Sequence, residues 1–284
     1  MLINPYVFGG LWTPYQITTA LWLDAADAST ISTSGSEVTQ INDKSGNARN
    51  FTGSSGSRPS TGLSMLNGLN ILDFDADYLT SASAASTWTF MHNTTGSSVF
   101  SVIKAGNTSD PNAIFVIYGT NGATSARVGT SLFFDDRVST SRNNTIFHSV
   151  SAGSQPDNFQ VVVQNVTANN SFLPNTFNMV TVLADPGNTT AANRSILKIN
   201  AGSDIKNNVD TATVGTSNPA FTLQMGANGN NTSSFTGAFA EFIVISGVMS
   251  AANRERIEGY LAHKWGLTAN LPSDHPYKSA APLV

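Results

Sequence analysis

Short apolar runs rich in Val, Ile and Phe punctuate a chain otherwise crowded with Ser, Thr, Asn and Gly. They are VFSVIKA (99 to 105), AIFVIYGT (113 to 120), FQVVVQNV (159 to 166), MVTVLADP (179 to 186), SILKIN (195 to 200), FTLQMG (221 to 226) and GAFAEFIVIS (237 to 246). Each has strand length. Between them lie stretches such as Lys104-Ala-Gly-Asn-Thr-Ser-Asp-Pro and Gly226-Ala-Asn-Gly-Asn-Asn, whose residues tolerate positive φ and break helices. No fixed-period repeat and no Pro/Gly linker divides the chain, so the pattern predicts one all-β, sandwich-like domain.

Helical periodicity emerges once, in SAANRERIEGYLAHK (250 to 264). Ser250 is placed to cap the start and Gly266 to supply a left-handed residue past the end. Ile257, Tyr260, Leu261 and Trp265 share one stripe, with Arg254, Glu255 and Glu258 expected to face water. The stripe predicts a helix that plugs the edge of the sandwich. His263 and Lys264 fall in the last turn, where the helix dipole favours positive charge. Gly259 inside the helix costs about 1 kcal/mol against Ala, which points to close approach of a strand there.

Residues 1 to 19 stand apart from 20 to 284. Tyr6, Phe8, Trp12 and Tyr15 alternate with Gly and Pro without strand or helix periodicity, and exposed aromatics of this kind call for a surface to dock on. We therefore expect an N-terminal aromatic arm that anchors the domain to other proteins.

Composition narrows the function. The 284 residues are 40% hydrophobic but only 11% charged, so solubility rests on hydroxyls and amides. A net charge of -4 and a pI near 5.4 leave no basic footprint for nucleic acid or an anionic bilayer. No apolar run of about 18 residues is present to span a membrane, and the N-terminus shows no basic n-region followed by an apolar h-region. The lack of Cys excludes disulfides, Cys-ligated zinc and thiol nucleophiles, and suits folding in a reducing cytosol. Sequons such as Asn165-Val166-Thr167 and Asn231-Thr232-Ser233 are read as products of composition.

Several segments carry a resemblance. ALWLDAADASTI (20 to 31), VTQINDKSGNARN (38 to 50), LNGLNILDFDADYL (66 to 79) and the closing strand with YLAHKWGL and LPSDHPYK resemble the concanavalin A-like lectin/glucanase superfamily, and within it the laminin-G-like domains of bacterial and bacteriophage proteins. Ile41 stands where the family usually has Trp, and Ala76 where it usually has Gly. The middle, 80 to 234, matches only in strand rhythm. The resemblance implies a two-sheet antiparallel jelly-roll sandwich with one C-terminal α-helix and both termini on one side. It further implies a noncatalytic virion protein of a bacteriophage, folded in the host cytoplasm, displayed on the particle surface and held to other virion proteins by the arm. The alternatives are a carbohydrate-binding adhesin that recognises host polysaccharide and, third, a glycoside hydrolase.

The candidate chemistry is weighed on that background. Asp73, Asp75 and Asp77 alternate on a strand and should project to one face, yet paired-carboxylate hydrolysis needs side chains that span about 5 Å, and three Asp suit a turn better. No catalytic residue is assigned. Calcium is a second reading of that cluster and of Asp24, Asp27, Asp43 and Asn47; no metal ligand is assigned, because Asp43-Lys-Ser-Gly-Asn47 reads first as a hydrogen-bonded turn with Gly46 at positive φ. His92, His148, His263 and His275 lack zinc spacing, no Gly-x-Ser-x-Gly elbow is present, and GTNGATSARVG (119 to 129) lacks phosphate-loop spacing. LPSDHPYK is expected to lie back over the sandwich, with His275 and Tyr277 packing on it. For glycan contact, Trp88, Tyr118 and Phe133-Phe134-Asp135-Asp136 are the candidate aromatics and acids. No heptad specifies an oligomer, which leaves self-association open.

Overall fold

The computed structural model describes residues 10 to 106, 112 to 120, 127 to 136, 142 to 152, 161 to 208, 213 to 215, 217 to 228 and 233 to 284. Its strands are β1 (Leu21–Asp24), β2 (Ile31–Ser34), β3 (Glu37–Ile41), β4 (Phe51–Thr52), β5 (Ser60–Leu66), β6 (Leu69–Asp77), β7 (Leu79–Ser81), β8 (Ser97–Ala105), β9 (Asn112–Thr120), β10 (Arg127–Asp135), β11 (Thr145–Ala152), β12 (Val161–Val166), β13 (Asn178–Ala184), β14 (Ser195–Ile199), β15 (Gln224–Met225) and β16 (Phe235–Ser246). The helix α1 (Ala251–Lys264) follows. The fold is mainly β, as the apolar runs predict.

Pairing is antiparallel and continuous, in the order β12-β11-β10-β9-β15-β7-β4-β3-β5-β6-β16-β8-β13-β14, with β1 on β16 and β2 on β3. The sheet folds over on itself. Phe115 of β9 and Phe242 of β16 lie far apart in that order, yet their rings meet at 5.5 Å. Between the layers sits a core that includes Leu72, Phe74, Val99, Ile103, Phe134, Val180 and Val244. Its far side is closed by polar side chains: Asn165 of β12 and His148 of β11 both reach Ser195 of β14.

β8 and β13 carry apolar residues on both faces because both faces are covered, with buried polar exceptions such as Ser101 and Thr181. Val99 and Ile103 face the inter-layer core, while Phe100 and Val102 face a second cluster with Ile257, Leu261 and Trp265. This corrects the expected place of α1: the helix lies across the outer face of β16, β8 and β13 instead of plugging an edge. Ser250 caps it, and Gly266 has φ +70°, both as expected.

Two further details of the helix differ from expectation. Glu258 is 1% exposed and accepts a hydrogen bond from Thr181, so it does not face water, and Arg254 lies beside it. The close neighbour of Gly259 is the C-terminal tail and no strand, since a Cβ there would stand 2.5 Å from Cβ of Tyr277. LPSDHPYK thus does lie back on the body, but over the helix.

The segment from residue 10 to 19 is folded onto the body. Trp12 is buried, its backbone N–H donates to Pro282 O, and its ring meets Tyr260 edge-on at 6.2 Å. Tyr15 packs edge-on against Trp22 at 4.7 Å. Leu11 pairs with Leu283. Tyr6 and Phe8 lie outside the described residues.

Candidate functional site

A buried ionic cluster joins β1, β16 and α1. In β16 the register shifts between Phe239 and Glu241, so Ala240 is the extra residue of a bulge. Before the bulge Phe235 and Phe239 point into the inter-layer core; after it Phe242 and Val244 do. The shift turns Glu241 away from that core and under the helix. There Oε1 accepts from Trp22 Nε1 at 2.7 Å and from Tyr260 OH at 2.9 Å. Oε2 accepts from Trp265 Nε1 at 2.7 Å and Lys264 Nζ at 2.8 Å. Lys264 also reaches Asp24 at 2.6 Å, and Lys44 bridges Asp24 and Asp27 at 2.9 and 2.7 Å.

The cluster is closed to solvent at Glu241. The Glu241 side chain has no exposure, and burial pushes its carboxyl above the ordinary carboxylate range, opposed only in part by Lys264. Burial, together with the charges of Glu241 and Asp24, drives the Tyr260 phenol upward, so it stays a hydrogen-bond donor. Burial works against the charge on Lys44, but hydrogen bonds to Asp27 and Asp24 outweigh it and raise its pKa. Tyr260 also borders a cavity of about 450 Å³ with Trp12, His263 and Lys264, but no carboxylate lines it. The rings of the closing segment therefore brace the structure. Glu241, which organises them, carries a sequence signal that the strand reading passes over: it is the one charge in GAFAEFIVIS.

The acidic candidates do not converge. In β6, Ala76 has φ +56° and the pairing with β16 slips there, so the bulge breaks the alternation that would set Asp73, Asp75 and Asp77 on one face. Asp77 instead accepts from the Asp75 N–H at 2.9 Å, and burial, with the charges of Asp75 and Glu37, raises its pKa. Asp43 accepts from the backbone N–H groups of Trp22, Ser45 and Arg49, Gly46 has φ +86°, and Asn47 donates to Thr19 O: this is the expected turn. The ammonium of Lys44 sits between Asp24 and Asp27. Among the described residues no three His, Asp or Glu side chains gather as a metal would require.

The histidines are dispersed. His92 bonds to Ser217 O, and burial lowers its pKa. His148 lies between Thr130 and Ser195 at 3.0 and 2.9 Å, and burial lowers its pKa to about 3. His263 bonds to Tyr277 O, and His275 faces Glu258. Asn165 of the first sequon is fully buried; Asn231 of the second, and residues 121 to 126 of the glycine-containing stretch, lie outside the described residues.

Of the aromatics named for glycan contact, Trp88 and Phe134 are core, and Asp135 is buried. Tyr118 lies in β9 opposite Gly129, and its side chain lies outside the described ones. Phe133 differs. Leu132 and Phe134 point inward, so strand alternation turns Phe133 to the outer face of β10. Its cross-strand partners are Phe147 on β11 and, beyond, Val166 on β12. The two rings stack at 5.0 Å with an interplanar angle of 12°, and the Arg142 guanidinium lies 5.1 Å from the Phe147 ring.

The next outward row across the same strands is Ser131, Ser149 and Gln164, with the two serine hydroxyls 2.7 Å apart. The row after that begins at Gly129 and Ser151. A stacked aromatic pair with a guanidinium thus stands beside a row of hydroxyl and amide groups, in which Ser131 is buried and Ser149 and Gln164 are half-buried. Phe147 and Arg142 were not among the residues the sequence pointed to; the signal was the alternation in TIFHSVSA, masked by a polar residue on its inner face.

No family model matches the chain, and no curated protein does so either. Solved structures do match. The receptor binding domain of botulinum neurotoxin mosaic serotype C/D superposes with a TM-score of 0.51 at 12% identity, over 85% of this chain and 50% of that one. The botulinum neurotoxin serotype D binding domain gives 0.49 at 14% identity, over 85% and 51%. The Ruminococcus gnavus IT-sialidase CBM40 gives 0.43 at 14% identity, over 59% and 83%. This chain spans about half the length of the neurotoxin domains it matches. What it shares with the first is a fold.

Proposed function

We propose that this protein is a noncatalytic carbohydrate-binding module, reading surface polysaccharide with the outer face of β10, β11 and β12. The observation that carries the reading is the pairing of two rows on that face, Phe133 and Phe147 with Arg142 beside Ser131, Ser149 and Gln164. A sugar presents an apolar C–H face and a rim of hydroxyls. The apolar outer edges of the stacked rings meet the first, and Ser149 and Gln164 beside them take the second. The fold shared with a receptor binding domain is in keeping with this, as is a surface poor in charge. We read the two layers as the jelly roll of the concanavalin A-like resemblance.

A glycan array followed by calorimetry tests the proposal. The native chain should show saturable binding to at least one polysaccharide, and Phe133→Ala and Phe147→Ala should each weaken it tenfold or more with an unchanged melting temperature. Silence across the array, or binding indifferent to both substitutions, refutes the reading.

Display on a bacteriophage particle is a separate proposal, supported by the sequence resemblance. Since residues 10 to 19 pack on their own domain, any anchoring belongs to residues 1 to 9. Their removal should leave a folded protein that no longer copurifies with particles; continued incorporation would overturn that role.

A further inference from the structure

Opposite the proposed glycan face, on the helix side of the molecule, three buried polar atoms face one another without bonding. Glu258 is 1% and His275 8% exposed. Glu258 Oε1 accepts from Thr181 Oγ1 at 3.1 Å. Its Oε2 stands 3.5 Å from Arg254 Nε and 3.6 Å from His275 Nε2, within ion-pair range but beyond hydrogen-bonding distance, and all three atoms lack a hydrogen-bond partner. A buried polar atom left in that state is destabilising and favours a ligand that completes it. A cavity of about 260 Å³ adjoins them, lined also by Lys198, Glu255 and Asp274.

The unused valences define a ligand. His275 Nδ1 accepts from the Tyr277 N–H, so in the neutral ring the proton is on Nε2. The site then offers two free donors, Arg254 Nε–H and His275 Nε2–H, and one free acceptor, Glu258 Oε2. The lining cations are already engaged, Lys198 with Asp204 and Arg254 with Glu255, whereas Asp274 is exposed and adds a second carboxylate. An anion is therefore repelled and a cationic donor is drawn in. We infer that this cavity binds a small hydroxylated amine of monosaccharide size, an amino sugar or amino alcohol. Its ammonium group would donate to Glu258 and Asp274, and its hydroxyl oxygens would accept from Arg254 and His275.

The site is independent of the Phe133–Phe147 pair, so either can fail alone. Calorimetric titration of the full chain with glucosamine tests it, with glucose and N-acetylglucosamine as comparators in which the charged amine is absent or blocked. Glucosamine should saturate, and both comparators should bind at least tenfold more weakly. Glu258→Gln should reduce glucosamine binding tenfold or more, and Phe133→Ala should leave it unchanged. Absence of saturation, equal binding of glucose, or full affinity in Glu258→Gln overturns the inference. Should Glu258→Gln fail to fold, Asp274→Asn decides: it should lower affinity at least threefold, and undiminished binding in that variant counts against the site.

Discussion

Lys264 Nζ lies 2.6 Å from Asp24 Oδ1, which ties the last turn of the C-terminal helix to the first strand across nearly the whole length of the chain. The same ammonium reaches Glu241, so one charge holds two buried carboxylates. Removing one member of a buried ionic set costs about 3–5 kcal/mol, because the others stay buried without compensation. Lys264→Met keeps the aliphatic stem and deletes the charge. Urea unfolding should show a loss of that size; a change under about 1 kcal/mol would mean that Trp22, Tyr260 and Trp265 suffice for Glu241.

The bulge at Ala240 places one extra residue before Glu241. Deleting Ala240 removes only that residue and leaves regular alternation, with Phe239 inward, Glu241 under the helix and Phe242 inward in their present register. We expect that variant to keep a cooperative thermal transition. Its loss would show that the bend imparted by the bulge is itself required.

At Gly259 two effects oppose each other. Alanine would gain about 1 kcal/mol in helix propensity, yet its Cβ would stand 2.5 Å from Cβ of Tyr277, with Cγ at 2.7 Å, the rigid root of that side chain. Overpacking of this kind costs about 1–3 kcal/mol, so Gly259→Ala should lower the melting temperature and speed cleavage of residues 271 to 284 by added protease. A stabilised variant would show that the tail is free to shift.

His148 makes stability depend on pH. Burial holds its folded pKa at about 3, against the 6.5 of an ordinary imidazole. Between those values the unfolded chain takes up a proton that the folded one refuses, so stability rises with pH through this window and falls on acidification. The slope approaches about 1.4 kcal/mol per pH unit from this residue alone. His148→Gln should remove that component when unfolding is compared at pH 4 and pH 7; an identical pH difference in both proteins would contradict the assignment.

Strands covered on both faces were legible from the sequence, because β8, β13 and β16 carry apolar side chains on each face. β10 and β11 were not. Their inner faces carry Thr130 and His148, satisfied by each other and by Ser195, so a polar residue occupied a core position, and Phe147 was left to face outward. The helix was readable from its 3.6-residue period, but Glu258 was not, since what buries it is a tail that folds back from residues 272 to 277. Likewise the three aspartates of β6 alternate in sequence, and only the left-handed Ala76 breaks the row. Local period reveals which face a residue takes within one element; long-range cover and single-residue slips decide what meets that face.

The pairing of Leu11 with Leu283, continued by the Val284 N–H to Gly10 O bond at 3.0 Å, also governs how the molecule bears load. Tension drawn through the two ends would act across this short ribbon alone and would open it bond by bond, as a zip. The layered body would feel no strain until the ribbon, and then the Trp12 contact behind it, had parted.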